Sequence, residues 1–447
     1  MSVRAIAIEL LCRWEEKGEP LDSFLEQPAV GLEDLRDRQL LFALVYGVAR
    51  WRGYLDWVIG RFSSHPPAKM KPRTSAALRV GLLQLLILDR IPAAAAINET
   101  VQALRAARQP KWLTGFVNGL LRNVERQRDD LATPWHQAEK LPLSARLSHP
   151  QWLLDRWRNR YGPEKMLAIA AADNEPPPLC LRINTARISV EEFLAACRES
   201  GIPAEEGGLA PLAVRLPGYG GPVAQIPGFE AGWFMVQDEA AQLVSLLAGP
   251  FLEGGRYLDA CAGLGGKTTH LAALVPADSS LVAIEPNPKR VERLQENLAR
   301  LGLAEKVAVR IGELSGHRTA SARYRSILVD APCSGLGVIR RHPDIRWNRS
   351  PEDLGRYQQK QLTLLTEAAA LLLPGGALVY VTCSIEPEEN DQVVARFLAD
   401  HPEFKVSDAR ELLPSAAAAL VDEKGFFRTL PGEQGLDGFF AARLVRE

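Results

Sequence analysis

Tyr257-Leu258-Asp259-Ala260-Cys261-Ala262-Gly263-Leu264-Gly265-Gly266-Lys267-Thr268-Thr269 reads as a short apolar strand that ends on an acid, enters a glycine-rich turn and opens a helix. Glycines in such a turn let a ligand approach the backbone and leave helix N-terminal amides free. The same rhythm recurs downstream. Residues 281–285, 307–311, 326–330 and 376–382 read as strands, and 288–301 and 358–373 as helices between them. Strands alternating with helices predict a parallel sheet with helices on both faces, a Rossmann-like layout. Ligands in such sheets bind at the carboxyl ends of the strands. The residues just past each strand therefore carry the functional question.

Working outward, the chain has 447 residues and is 47% hydrophobic, too long for one ordinary core. Residues 1–130 read as an all-helical domain: 40–46 and 82–88 are buried-helix material, and 93–107 and 113–124 continue the pattern. Turn signals interrupt it at 63–67 and at Gln109-Pro110. Residues 131–245 read as a connector and a small α+β subdomain, with a helix at 152–160, a hard stop at Glu175-Pro176-Pro177-Pro178, a strand at 179–183 and a helix at 190–200. Residues 246–447 are the Rossmann-like part. The net charge of −1 hides an uneven distribution, since 36–128 holds 16 Lys and Arg against 5 Asp and Glu. That local excess predicts a footprint for a polyanion, although solvated helix faces would give the same count.

Six scattered cysteines form no CxxC pair and no His/Cys cluster, so neither zinc nor a disulfide framework is expected. The first ten residues lack the apolar core of a secretory signal, and no run of 18 apolar residues occurs. A cytoplasmic, monomeric protein with no metal and no membrane association is the expectation.

The turn after Asp259 fits neither common phosphate cradle. A Walker A loop needs glycine five residues before the Gly-Lys pair, where this chain has Cys261. The dinucleotide fingerprint needs glycine at Thr268. The second strand ends on Glu285, 26 residues after Asp259, and an acid there can accept hydrogen bonds from ribose hydroxyls. Glu313, past the third strand, is placed for an adenine. Together these predict a nucleoside cofactor held without a phosphate cradle, a description that S-adenosylmethionine suits. The plainer reading makes Glu285 and Glu313 acids that serve helix N-termini.

Two further strands end on cysteines, in Asp330-Ala331-Pro332-Cys333-Ser334-Gly335 and in Thr382-Cys383-Ser384. Cytosine C5 is too weak a nucleophile to take a methyl group unaided. Attack of a thiolate on C6 makes C5 enamine-like, and a base must later remove the C5 proton so that the thiol can leave. One cysteine for attack and one for elimination satisfies that scheme, and the residues alone do not say which is which. Asp330 can support charge on the N3/N4 edge of the base. A single cysteine after a strand is more often a small buried hydrophobe. Cys261 reads that way, and Cys12, Cys180 and Cys197 read as structural.

The glycine turn, Asp330–Gly335, Arg340-Arg341-His342-Pro343-Asp344 and Tyr380-Val381-Thr382-Cys383-Ser384 resemble the Nop2/Sun family of RNA cytosine-5 methyltransferases. Arg182-Ile183-Asn184-Thr185, Gln237-Asp238 and Asp437-Gly438-Phe439-Phe440 share the resemblance, which covers essentially the whole chain. The helical N-terminus resembles the NusB-like RNA-binding domain of the bacterial branch that modifies small-subunit (16S) ribosomal RNA. The resemblance implies Cys383 as nucleophile and Cys333 as the residue that assists release. It implies S-adenosyl-L-methionine contacts from Cys261, Ala262, Gly263, Leu264, Gly265, Gly266 and Lys267, and from Glu285, Arg290, Glu313 and Asp330. Three positions depart from the family pattern. Gly263-Leu264 replaces Ala-Pro, which predicts a looser turn, and Glu285 and Glu313 stand where Asp is usual.

Other readings stay open. DNA cytosine-5 methylation resembles a pattern that uses the Pro-Cys cysteine and needs no Thr382-Cys383-Ser384. Amino-group methylation wants an Asn/Asp-Pro-Pro-aromatic sequence that Asp330–Cys333 does not match. Another RNA such as tRNA, or an RNA-binding assembly factor with secondary catalysis, are the remaining alternatives.

Overall fold

The computed structural model describes residues 2–25, 31–317 and 323–447. It divides into two compact units, one of residues 1–176 with 339–349 and one of 177–338 with 350–447.

The first unit is helical. Its main helices are α1 (Val3–Lys17), α2 (Leu35–Phe62), α3 (Pro72–Leu86), α4 (Ala93–Ala106), α5 (Lys111–Arg126), the short α6 (Leu143–Arg146) and α7 (Gln151–Ala172). Every residue of α3 from Thr74 to Leu86 is buried, so this helix is the axis about which the others pack. Arg79 is buried there too, with its charge met by Asp56 at 2.6 Å and by Glu15. It is therefore not one of the cations available to a polyanion. Eleven of the 16 basic residues in 36–128 are exposed, including Arg105, Arg108, Lys111, Arg122, Arg126 and Arg128 on and beside α5. The helix expected at 152–160 is broken at Gly162, whose φ of 81° is not helical, and Pro163 starts a second helical stretch that runs to Ala172.

The surprise in this unit is a segment from far along the chain. Residues 339–349, which include Arg340–Asp344, belong to it. Arg346 is fully buried and donates to the carbonyls of Ser148 (3.0 Å) and Asp173 (2.9 Å) and to Asn174 Oδ1 (2.8 Å). Asp344 accepts from the Leu21 amide, Trp14 donates to Asn348, and Trp347 donates to the Ala49 carbonyl.

The second unit holds two sheets. The smaller contains β1 (Leu179–Ile183), β2 (Glu205–Glu206), β3 (Ala213–Leu216) and β4 (Phe234–Val236) in the antiparallel order β2-β3-β1-β4. Helix α8 (Val190–Glu199), closed by a Ser189/Glu192 capping box, buries Phe193 and Cys197 in the same cluster as Leu181, Ile183 and Phe234. Helix α9 (Glu239–Leu246), capped by Asp238, leads to the larger sheet.

The larger sheet contains β5 (Arg256–Asp259), β6 (Ser280–Glu285), β7 (Val307–Ile311), β8 (Tyr324–Asp330) and β9 (Leu372–Thr382), mutually parallel in the order β9-β8-β5-β6-β7. Helices α10 (Gly266–Leu274), α11 (Pro288–Leu301) and α13 (Pro351–Ala369) connect these strands, and the short α12 (Ile345–Asn348) lies within the 339–349 segment. Helix α13 starts seven residues before the expected 358, where Pro351 takes the first position and Ser350 and Asp353 form a capping box. The wholly parallel sheet expected from the alternation is extended instead by an antiparallel edge. After α14 (Asp391–Asp400), the strands β10 (Phe404–Ser407), β11 (Phe427–Arg428) and β12 (Phe440–Arg446) add to it, with β12 antiparallel to β9. The sheet is therefore mixed.

Candidate active site

The expected site residues lie at the carboxyl ends of β5, β6, β7, β8 and β9. Two backbone amides of the glycine turn are hydrogen-bonded. The Gly263 amide donates to Glu285 Oε2 at 2.9 Å, and the Gly265 amide to the Ala262 carbonyl at 2.9 Å. Gly263 and Gly265 have φ of 56° and 90°, a region costly for other residues. A Cβ at Gly265 would lie 2.5 Å from Leu294, whereas one at Gly263 or Gly266 would meet nothing within 4 Å. The turn thus presents an open face of bare backbone.

Glu285 is buried, and its other oxygen accepts from the Asn287 amide at 2.9 Å. Helix α11 is capped by Asn287 itself, so Glu285 braces the glycine turn and does not act as the cap. Glu313 is exposed just past β7, and Arg290 is exposed on the first turn of α11. Leu264 is 54% exposed on the turn, and its carbonyl accepts from Asn297.

Cys261 sits among acids that sequence proximity did not show. Burial first, then the charges of Asp259, Asp330, Glu285 and Glu313, push its thiol well above the ordinary range. It stays protonated, in keeping with a bland role. Asp259 is fully buried, accepts from Thr268 at 2.7 Å and has its pKa raised to about 6, chiefly by burial.

Lys267 donates to Asp330 Oδ2 at 2.6 Å and lies 5.3 Å from the centre of the Phe439 ring. Burial opposes its ammonium, but Asp330, Cys383 and Asp259 outweigh that and raise its pKa. Arg182, on β1, is buried with neutral partners. It donates to Gln237, to the Gly266 carbonyl (2.9 Å) and to Thr269 (2.8 Å), which ties the smaller sheet to the start of α10.

Cys333 and Cys383 end adjacent parallel strands, and their sulfurs lie 3.2 Å apart with no disulfide between them. The Cys333 thiol is pushed well above its ordinary pKa, first by the hydrogen bond to Cys383, then by burial and by the charges of Cys383 and Glu389. Gly337 donates to the Cys383 carbonyl at 2.9 Å, and Gly438 donates to the Gly337 carbonyl at 2.7 Å. The Asp437–Phe440 motif thus closes over both cysteine turns.

Sequence reasoning missed the residues beneath those turns. Glu389 is fully buried. It accepts from the Ser334 amide (2.7 Å), the Ser334 and Ser384 hydroxyls (2.5 Å each) and Gln361 (3.2 Å). Asn390 accepts from Thr382 and donates to the Ser384 carbonyl. The available signal was the Glu388-Glu389-Asn390 run that starts five residues past Cys383, which looks like solvated surface when read alone.

A Rossmann-like core with a bare glycine turn, acids after the neighbouring strands and two facing cysteines defines a methyltransferase. Residues 250–445 match the family profile described as 16S rRNA methyltransferase RsmB/F, residues 1–126 the NusB family, and residues 149–222 the ferredoxin-like domain of RsmF/B-like methyltransferases. Ribosomal RNA small subunit methyltransferase B of Klebsiella pneumoniae subsp. pneumoniae is 37% identical over 100% of this chain and 98% of its own length. The protein of that name from Escherichia coli is 36% identical over 100% and 99%. The crystal structure of PH0851 superposes with a TM-score of 0.82 at 26% identity, covering 99% of each chain. The chain belongs to the RsmB/F family of S-adenosylmethionine-dependent rRNA methyltransferases.

Proposed function

We propose that this protein methylates C5 of a cytosine in 16S ribosomal RNA through a covalent bond between Cys383 and C6. The observation that carries the reading is the 3.2 Å separation of the Cys333 and Cys383 sulfurs at the ends of β8 and β9. The Cys383 thiolate adds to C6, and the electrons of the C5–C6 double bond move toward C5 and the N3/N4 edge. Asp330 can accept a hydrogen bond from the N4 amino group, and the Lys267 ammonium paired with it offsets the charge developing at that edge. When bound, S-adenosylmethionine supplies the electrophilic methyl group. A base then removes the C5 proton, and the C6–sulfur bond breaks, returning its electron pair to Cys383. The short sulfur–sulfur distance supports assigning this step to Cys333, which gives up its own thiol proton to solvent before it takes the one from C5.

The residues of the glycine turn fit that cofactor. A Cβ at Gly263 or Gly266 would project into open space, so the backbone can be approached closely there. The acids whose charges converge on Cys261 give an environment suited to a cationic sulfonium and to ribose hydroxyls. Residues 261–267 with Glu285, Arg290, Glu313 and Asp330 are assigned to this group. Residues 1–130 are assigned to RNA binding, 131–245 to the connector and small RNA-binding subdomain, and 246–447 to catalysis.

Methyl transfer to unmodified 16S rRNA tests the reading. Wild type labels a cytosine, Cys383→Ala labels none, and Cys333→Ala accumulates a protein–RNA adduct that survives denaturation. Labelling by Cys383→Ala, or labelling of tRNA alone, would overturn it.

A further inference from the structure

Glu389 is a buried carboxylate that no Lys or Arg pairs with among the described residues; its charge is met only by hydrogen-bond donors. Burying a carboxylate on those terms is costly, and a fold that needed only to fill the space would be better served by apolar side chains. The donors it gathers share one property. Ser334 follows Cys333 in the chain, and Ser384 follows Cys383. The two hydroxyls lie 3.2 Å apart and meet on the same oxygen, Oε2. Gln361 bridges from the Pro332 carbonyl to the other oxygen, Oε1.

We infer that Glu389 is a positioning residue that locks the two cysteine turns together, keeping the Cys333 sulfur within reach of the Cys383 sulfur for the release half of the reaction. The inference rests on the two-cysteine reading above. Glu389 touches no reacting atom and acts through Ser334 and Ser384.

The clamp is asymmetric, and the asymmetry predicts how it fails. The Cys333 turn depends on Glu389 for two hydrogen bonds, from the amide and the hydroxyl of Ser334. The Cys383 turn gives it only one. That turn is also held by Asn390 at the Ser384 carbonyl and by Thr382 on Asn390, while the Gly337 amide at the Cys383 carbonyl ties the two turns to each other. Neutralising Glu389 therefore loosens Cys333 first. Attack by Cys383 survives while release slows, so the covalent intermediate accumulates.

The test uses the full chain, unmodified 16S rRNA and S-adenosylmethionine, read on a denaturing gel and by turnover. Glu389→Gln is compared with wild type, Cys333→Ala and Cys383→Ala. The expected result is an SDS-stable protein–RNA adduct with both cysteines intact, a fall in kcat of about tenfold or more, and a KM for S-adenosylmethionine within about twofold of wild type. A purely structural role would lower cofactor binding and turnover together and trap nothing. Wild-type turnover without adduct, or loss of activity without adduct, overturns the inference. If Glu389→Gln does not fold, Ser334→Ala decides, because it removes one hydroxyl from the clamp: adduct supports the inference and its absence overturns it. If Cys333→Ala traps no adduct, the two-cysteine reading falls, and the inference with it. If Cys333→Ala traps adduct and Glu389→Gln does not, only the role of Glu389 falls.

Discussion

Gly337→Ala is the smallest change that should pull the two cysteine turns apart. An ideal Cβ there would lie 2.1 Å from the Gly438 carbonyl oxygen and 2.9 Å from that of Cys383. Both obstacles are backbone, so no side-chain rotation relieves them. The same residue links the Cys383 carbonyl and the Gly438 amide through hydrogen bonds of 2.9 and 2.7 Å. Forcing a methyl group into a filled space costs about 1–3 kcal/mol, and each weakened backbone hydrogen bond about 1 kcal/mol more. A loss of roughly 3 kcal/mol follows, worth about 6–12 °C in the melting of a unit of this size. The rate should fall further than stability, because a shift of about 1 Å at a reacting group costs on the order of a hundredfold. Calorimetric melting and single-turnover methyl transfer measure the two effects. Gly355→Ala is the control, since a Cβ at that position on α13 meets nothing within 4 Å. It should leave melting unchanged or raise it slightly. Gly337→Ala melting and reacting like wild type would show that the close approach of these backbones is not what holds the site.

Two other expectations concern charge. The Asp259 carboxyl has a folded pKa of about 6 against an ordinary 3.8. Its contribution to stability is fully present below the unfolded value and is lost as pH rises through about 6. Asp259→Asn cannot ionise, so it should gain on wild type by roughly 1–1.5 kcal/mol between pH 5 and pH 7.5, as measured by denaturant titration. Parallel pH profiles for the two proteins would contradict the assignment. RNA affinity should be steeply salt-dependent if the exposed cations near α5 contact phosphate. Four neutralised phosphates give about a hundredfold loss between about 50 and 200 mM salt in a filter-binding titration. A flat curve would remove the electrostatic argument.

The parallel strands and their chemistry were readable because their signals are local. Periodicity marked β5 to β9, and Cys333 and Cys383 could be assigned to the ends of strands before any contact was known. The antiparallel edge was not readable in the same way. Asp437–Phe440 stood out as a motif, but strand β12 beyond it depends on pairing with β9 for its identity. Glu389 escaped because an acidic pair after a turn is ordinarily solvated, and only tertiary packing reveals four donors aimed at it. Arg182 and Asn184 were quoted within a motif. Their work as ties, to the start of α10 and to the carbonyls of Gly232 and Leu301, required the fold. The acids around Cys261 come from four different strand ends, which no linear spacing could gather.

The membership of residues 339–349 in the helical unit has a consequence for synthesis on the ribosome. Residues 1–176 emerge first, yet the cation that satisfies the Ser148 and Asp173 carbonyls is Arg346. At roughly 5–20 residues per second, the nascent helical unit waits about 10 to 35 s for that side chain. For that interval a chaperone would meet an N-terminal bundle with an open, polar-lined slot, and cutting the gene after codon 176 would make the interval permanent.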